Sequence, residues 1–181
     1  NQAALESRQA VELLRMCLDA GYDRAQTLTA VNGMMLLAGQ GERFTTVDLF
    51  LLDLWTGKAS LDKLGAACSY LMQAEGLSLL GGDALPLGIL ENVESGEKLM
   101  QLHQGDTLIL LSDGVEDAYE NRQSMEEAIR DALTLETAQD AANAILTGAQ
   151  SGDAAPADDQ TVLVLRLIRA RADAKIEEMY Q

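Results

Sequence analysis

Phe44-Thr45-Thr46-Val47-Asp48-Leu49-Phe50-Leu51-Leu52-Asp53-Leu54-Trp55 is the stretch in which the hydrophobic period of this chain changes from that of a helix to that of a strand. Its aromatic and β-branched residues suit a pleated, half-buried surface. Thr56-Gly57 predicts a turn, and Ala59, Leu61 and Lys63 then alternate with Ser60, Asp62 and Leu64, so the segment reads as a hairpin. Upstream, Ala10, Val11, Leu14, Cys17 and Leu18 recur at helical spacing. Gly21 stops that helix, and Asp23 caps a second one whose face carries Leu28, Val31, Met35 and Leu36. Downstream, 69–74 and 77–80 read as a short strand pair and Gly81-Gly82-Asp83 as a loop. Leu85-Pro86-Leu87-Gly88-Ile89 is expected to be extended, because proline keeps its neighbour out of the helical region. Residues 98–102 and 107–111 read as strands around the turn Gln104-Gly105-Asp106. Helical spacing returns with Met125, Ile129 and Leu133, and again with Ala138, Ala141, Ala142, Ile145 and Leu146. Residues 151–157 predict a loop, and 161–167 a last strand apolar enough to be buried on both faces. Helices, then antiparallel strands, then helices and one late strand define an α+β fold with sheets covered by helices.

The chain has 181 residues, with 13 Lys+Arg against 29 Asp+Glu, a formal net charge of −16. Hydrophobic residues make up 48 %, which argues against disorder despite the charge. This length suits one domain, expected over residues 1–168, with a charged tail over 169–181 that reads as a frayed helix. Nucleic acid is excluded as a partner, since phosphate-backbone binding needs clustered Lys and Arg. No apolar run approaches the roughly 20 residues of a membrane-spanning helix, and the start at Asn1 shows no signal-peptide pattern. Cys17 and Cys68 fall inside apolar patterns without metal-ligand spacing and read as core thiols of a reducing, cytoplasmic compartment.

Two segments place carboxylates at the ends of apolar strands. Leu108-Ile109-Leu110-Leu111 runs directly into Ser112-Asp113-Gly114-Val115, and Asp158-Asp159-Gln160 leads directly into Thr161-Val162. A strand end is a rigid mounting, and hard cations such as Mg²⁺ or Mn²⁺ take carboxylate oxygens. Two such cations held side by side activate water for in-line phosphoryl displacement. The same residues would also arise in a plain turn and a solvated loop. Asp48 is a third candidate, though an acid in mid-strand reads first as facing solvent, and Asp53 reads as a turn residue.

The ordered series of segments resembles the phosphatase domain of the stage II sporulation protein E family, bacterial members of the metal-dependent PPM class. The resemblance rests on Glu6-Ser7, Phe44-Thr45-Thr46-Val47-Asp48-Leu49 with Asp53-Leu54, Gly65-Ala66-Ala67-Cys68-Ser69 and Leu85-Pro86-Leu87-Gly88-Ile89. It continues through Gly105-Asp106, Leu110-Leu111-Ser112-Asp113-Gly114-Val115 and Asp158-Asp159-Gln160-Thr161-Val162. It implies a β-sandwich of two antiparallel sheets flanked by helices, and a phosphoserine/phosphothreonine phosphatase using metal-activated water. It also implies metal (Mn²⁺ or Mg²⁺) ligation by Asp113 and by Asp158, with Asp159 as the alternative, and with Gly114 letting the backbone turn tightly beside the metals. Gln160, where the family more often has methionine, is expected to touch no metal and change little.

The family pattern also holds an Asp-Gly-Met-Gly-x-Gly segment just before the first helix. The given sequence starts beyond that point, so the fold is expected without its N-terminal strands, the metal site incomplete and turnover by this stretch alone weak. By resemblance the substrate is a small phosphorylated anti-sigma-factor antagonist, and the parent is an inner-membrane protein with this domain in the cytoplasm, active in sporulation sigma-factor control. A homodimer is compatible with the pattern. The alternative reading is a catalytically impaired regulatory or phosphoprotein-binding module of the same fold.

Overall fold

The computed structural model describes residues 2–39, 44–93, 96–151 and 158–168. Residues 152–157 of the loop expected at 151–157, and the tail expected at 169–181, lie outside the described residues. The element order is α1 (Gln2–Asp19), α2 (Arg24–Gly39), β1 (Val47–Leu52), β2 (Lys58–Leu64), β3 (Ser69–Gln73), β4 (Gly76–Leu80), β5 (Lys98–Gln101), β6 (Thr107–Leu111), α3 (Asp113–Glu116), α4 (Arg122–Ala132), α5 (Ala138–Ala149) and β7 (Val162–Arg166). The chain divides into two compact units, residues 1–68 with 80–100, and residues 69–79 with 101–181. The single domain expected over 1–168 therefore holds two units. No helix among the described residues is long and apolar enough to cross a membrane.

The first unit holds α1, α2 and a three-stranded sheet of order β1-β2-β5. Asp23 caps α2 as expected: its Oδ1 accepts from the Gln26 N–H at 2.8 Å, and Gln26 Oε1 accepts from the Asp23 N–H at 3.0 Å. This is a reciprocal capping box. The apolar core gathers Ala10, Leu14 and Cys17 of α1, Leu28, Val31 and Met35 of α2, and Leu49, Leu64 and Leu87. Val11 leaves the expected core face and is 62 % exposed. It stands one residue, about 100° of helix, from Ala10, and the buried stripe runs through Ala10, Leu14 and Cys17 instead.

The strand expected from Phe44 to Trp55 is shorter. Thr45 makes only an isolated bridge to Leu87, and β1 ends at Leu52. Asp53 then folds the turn: its Oδ1 accepts from the N–H groups of Trp55 at 2.8 Å and Thr56 at 3.2 Å. The Thr56 side chain first, then those backbone groups, hold the Asp53 carboxyl below its ordinary value. Register pairs Asp48 with Lys63 and Leu49 with Asp62. Because cross-strand partners share a face, Leu49 and Asp62 lie toward the helical core and Asp48 and Lys63 on the opposite face.

That pairing corrects the reading of Asp48 as solvent-facing. Lys63 Nζ donates to Asp48 Oδ1 at 2.7 Å and Oδ2 at 2.9 Å, with the lysine side chain 0 % and the aspartate 15 % exposed. Asp62 is fully buried, and Arg24 at the start of α2 donates to its Oδ1 and, at 2.9 Å, to Glu97. Gly65 has φ +67°, and a Cβ there would stand 2.4 Å from Pro86 Cγ. Gly65→Ala is expected to cost about 2–3 kcal/mol, from the left-handed backbone plus the clash with a stiff ring; urea denaturation measures it.

The second unit holds a four-stranded sheet of order β4-β3-β6-β7, with α3, α4 and α5. The strands expected on either side of Gln104-Gly105-Asp106 part company here: β5 joins β2 of the first unit, and β6 pairs antiparallel with β3 and β7. Buried Asp106 shapes the bend between them, its Oδ2 accepting from the His103 N–H and Gln73 Nε2, both at 2.8 Å. α4 starts on the Asn121–Ser124 capping box, and Arg166 of β7 donates to the Leu133, Leu135 and Glu136 carbonyls beyond its end. Tyr119 donates to the Ile145 carbonyl at 2.8 Å, and burial pushes its hydroxyl above the ordinary value. β7 is not buried on both faces as its composition suggested: it is the sheet edge, and Leu163 is 50 % exposed. Of the two expected core thiols, Cys17 is buried and Cys68 only half-buried.

Candidate metal centre

β6 is the mounting of the site. Its neighbours on both sides and the burial of Leu108 and Ile109 hold it at the centre of the sheet. Ser112 follows directly and occupies the N-cap position of α3 with an extended backbone, yet its side chain makes no capping bond. It joins the two carboxylate segments instead. Ser112 Oγ donates to the Asp159 carbonyl at 3.1 Å and accepts from the Thr161 N–H at 2.9 Å, and the Ser112 N–H donates to the Thr161 carbonyl at 3.0 Å. These bonds carry the β6–β7 pairing one residue past Leu111↔Val162.

Gly114 closes the corner. A Cβ there would lie 2.6 Å from the Asp159 carbonyl oxygen and 3.2 Å from that of Asp158. The glycine is buried in the first turn of α3, outside the left-handed conformation of Gly57 or Gly105. Its role is therefore close approach of two backbones rather than the tight turn expected from the sequence. Gly114→Ala is expected to cost about 1–3 kcal/mol by overpacking and to push α3 off the 158–159 segment, which calorimetric melting of the variant measures.

The two predicted carboxylates are thus brought to one corner. Asp113 Oδ1 accepts from the Gly114 N–H at 2.9 Å, and Asp158 Oδ1 accepts from the Asp159 N–H at 2.7 Å. Each side chain is oriented through one oxygen while the other stays available. Asp158 and Asp159 are both exposed, and the Asp159 carbonyl is already held by Ser112. Asp48 belongs to the first unit, where it is engaged by Lys63. Carboxylates and backbone carbonyls form an all-oxygen donor set, which fits Mg²⁺ or Mn²⁺ rather than a soft metal. Among the described residues no group of three or more His, Cys, Asp or Glu that could hold a metal ion is gathered.

Sequence reasoning missed Ser112 and Gln160. A serine placed directly after a buried strand was the available signal for the first. Gln160 was expected to change little, but its Nε2 donates to the Gly114 carbonyl at 3.0 Å.

Known proteins resemble this chain in sequence and in fold. The family model of stage II sporulation protein E matches residues 1–168. The stage II sporulation protein E of Priestia megaterium is 29 % identical over 114 residues, covering 63 % of this chain and 20 % of that protein. The PP2C phosphatase domain of the cell fate determinant SpoIIE from Bacillus subtilis, solved with a fragment of its regulatory domain, superposes with a TM-score of 0.79. It is 26 % identical, over 90 % of this chain and 50 % of that one. The catalytic domain of the serine/threonine protein phosphatase PstP, solved with 2 manganese ions, shares the fold at TM-score 0.69 and 18 % identity, over 90 % and 82 % of the two chains. The chain spans about a fifth of the Priestia megaterium relative and half of the Bacillus subtilis structure. Two antiparallel sheets with helices, the Ser-Asp-Gly corner locked onto the Asp-Asp segment, and a match over nearly the whole length place this chain in the stage II sporulation protein E family, with the fold of its PP2C (PPM) phosphatase domain.

Proposed function

We propose that this chain is a metal-dependent protein serine/threonine phosphatase domain that hydrolyses phosphoserine on a small regulatory protein of the anti-sigma-factor antagonist type, in the control of sporulation sigma factors. The observation that carries this reading is the locked corner, in which Ser112 and Gly114 hold Asp113 against the 158–159 segment. The family match supports it, and PstP, a neighbour in fold, was solved with 2 manganese ions.

Asp113 and Asp158 are the residues that would hold Mn²⁺ or Mg²⁺, with Asp159 as the alternative to Asp158. The bound ions would supply activation of water and neutralisation of phosphate charge. The chain's own part is positional. Gly114 keeps the two backbones in contact, Ser112 ties them by three hydrogen bonds, and one oxygen of each carboxylate is fixed by a neighbouring N–H. Such preorganisation spares the reorganisation cost when charge develops on the phosphate. The parent is proposed to carry this domain on the cytoplasmic side of a membrane.

The test is phosphate release from a phosphoserine-bearing anti-sigma-factor antagonist, measured with the longest product of the gene that contains this chain. Turnover is expected to saturate with Mn²⁺ and to disappear with a chelator. Turnover that persists in the chelator overturns the metal reading. Binding of the phosphoprotein with no turnover at any Mn²⁺ concentration replaces the enzyme with a phosphoprotein-binding module.

A further inference from the structure

α3 is a single turn, and its hydrogen bonds leave one carbonyl over. Asp117 N–H donates to the Asp113 carbonyl at 2.8 Å, and Ala118 N–H donates to Val115 at 3.3 Å rather than back to Gly114. The Gly114 carbonyl is therefore orphaned by the end of its own helix, as helix termini generally orphan their last carbonyls. Gln160 Nε2 fills that position at 3.0 Å. The next bond along is the Gly114 N–H on Asp113 Oδ1 at 2.9 Å. Gln160 thus connects to the Asp113 carboxylate through a single residue held from both ends.

A second observation bears on what the amide is for. Gln160 Oε1 is buried with no hydrogen-bond partner among the described residues. An unpaired buried acceptor is destabilising, and an apolar side chain of similar length would avoid it. Stability alone therefore does not account for an amide at this place; a donor aimed at Gly114 does.

We propose that Gln160 is a positioning residue for metal binding: by holding the Gly114 peptide it fixes the carboxylate of Asp113 in its ligating orientation. This rests on the reading of Asp113 and Asp158 as metal ligands. Partners that orient ligands typically change metal affinity 10–100-fold when removed. Methionine at 160 fills similar space but cannot donate to the carbonyl.

The experiment is a Mn²⁺ titration of the ¹⁵N-labelled chain, following paramagnetic broadening of backbone amide signals, a readout that needs no turnover and works for weak sites. In the unaltered chain, broadening is expected first at residues 112–115 and 158–160. In Gln160→Met, the Mn²⁺ concentration for half-broadening is expected to rise about tenfold, with the metal-free thermal midpoint within about 4 °C. Gln160→Leu serves as the second variant and should behave alike. An unchanged titration in both variants overturns the positioning role. So does a weakened titration accompanied by a large fall in the midpoint in both, which marks Gln160 as structural. Broadening of the unaltered chain elsewhere overturns the metal reading itself and is told apart by its location.

Discussion

Asp113→Asn is expected to lower Mn²⁺-dependent turnover of a phosphoserine substrate about a thousandfold, measured as kcat/KM on the longest gene product that contains this chain. A metal's stabilisation of transition-state charge is worth several kcal/mol, and each 1.36 kcal/mol is about a factor of ten in rate. Asparagine keeps the side-chain shape and keeps an Oδ1 to accept from the Gly114 N–H. The fold should therefore survive, and the loss isolates the missing negative charge. Asp158→Asn should fall on the same scale, while Asp159→Asn should stay within about threefold, since both effects derive from the metal contribution. The reverse order would assign the ligand to Asp159. An Asp113→Asn enzyme retaining more than about a tenth of the activity would remove Asp113 from the metal centre.

The second large effect is on stability. Lys63→Met is expected to cost about 3–5 kcal/mol, because it removes the buried Lys63 ammonium that accounts for the ion pair with the nearly buried Asp48 carboxylate. Against a total stability of about 5–15 kcal/mol that loss leaves a marginal fold. Adding Asp48→Leu to Lys63→Met should restore most of it, since a well-packed apolar pair often equals a buried ion pair. Urea denaturation of the two single variants and the double variant gives the coupling directly. A single-variant cost below about 1 kcal/mol would show that water reaches the pair and that the ion pair contributes little, as at a protein surface.

The wide acidity of the chain divides along these lines. Asp106, Asp48 and Asp62 are structural acids, taken up by a turn, by Lys63 and by Arg24. Asp53 shapes the hairpin turn at the surface. Asp113 and Asp158 differ in that each accepts from the N–H of the very next residue, Gly114 and Asp159, where β6 ends and the chain enters β7. A charge count treats all of these alike; hydrogen-bond partners separate them.

Local signals were enough for most of the elements and singled out two acids at strand ends. Hydrophobic period separated α1 and α2 from the β1–β2 hairpin, Asp23 marked the start of α2, and an apolar strand running into Ser-Asp-Gly marked Asp113. These are properties of a few consecutive residues, and consecutive residues are what a sequence displays. Three things needed the tertiary structure, each because it depends on a neighbour far along the chain. β5 and β6, only five residues apart, go to different sheets. Asp48 looked solvent-facing until Lys63, fifteen residues on, was placed opposite it and buried. Gln160 looked inert until a one-turn helix 46 residues upstream left it a carbonyl to hold. The sequence by itself determined the α+β pattern and which acids stand at strand ends; only the folded chain decided which acids are taken up by ion pairs and turns, because that choice is made by partners brought together across the sheet.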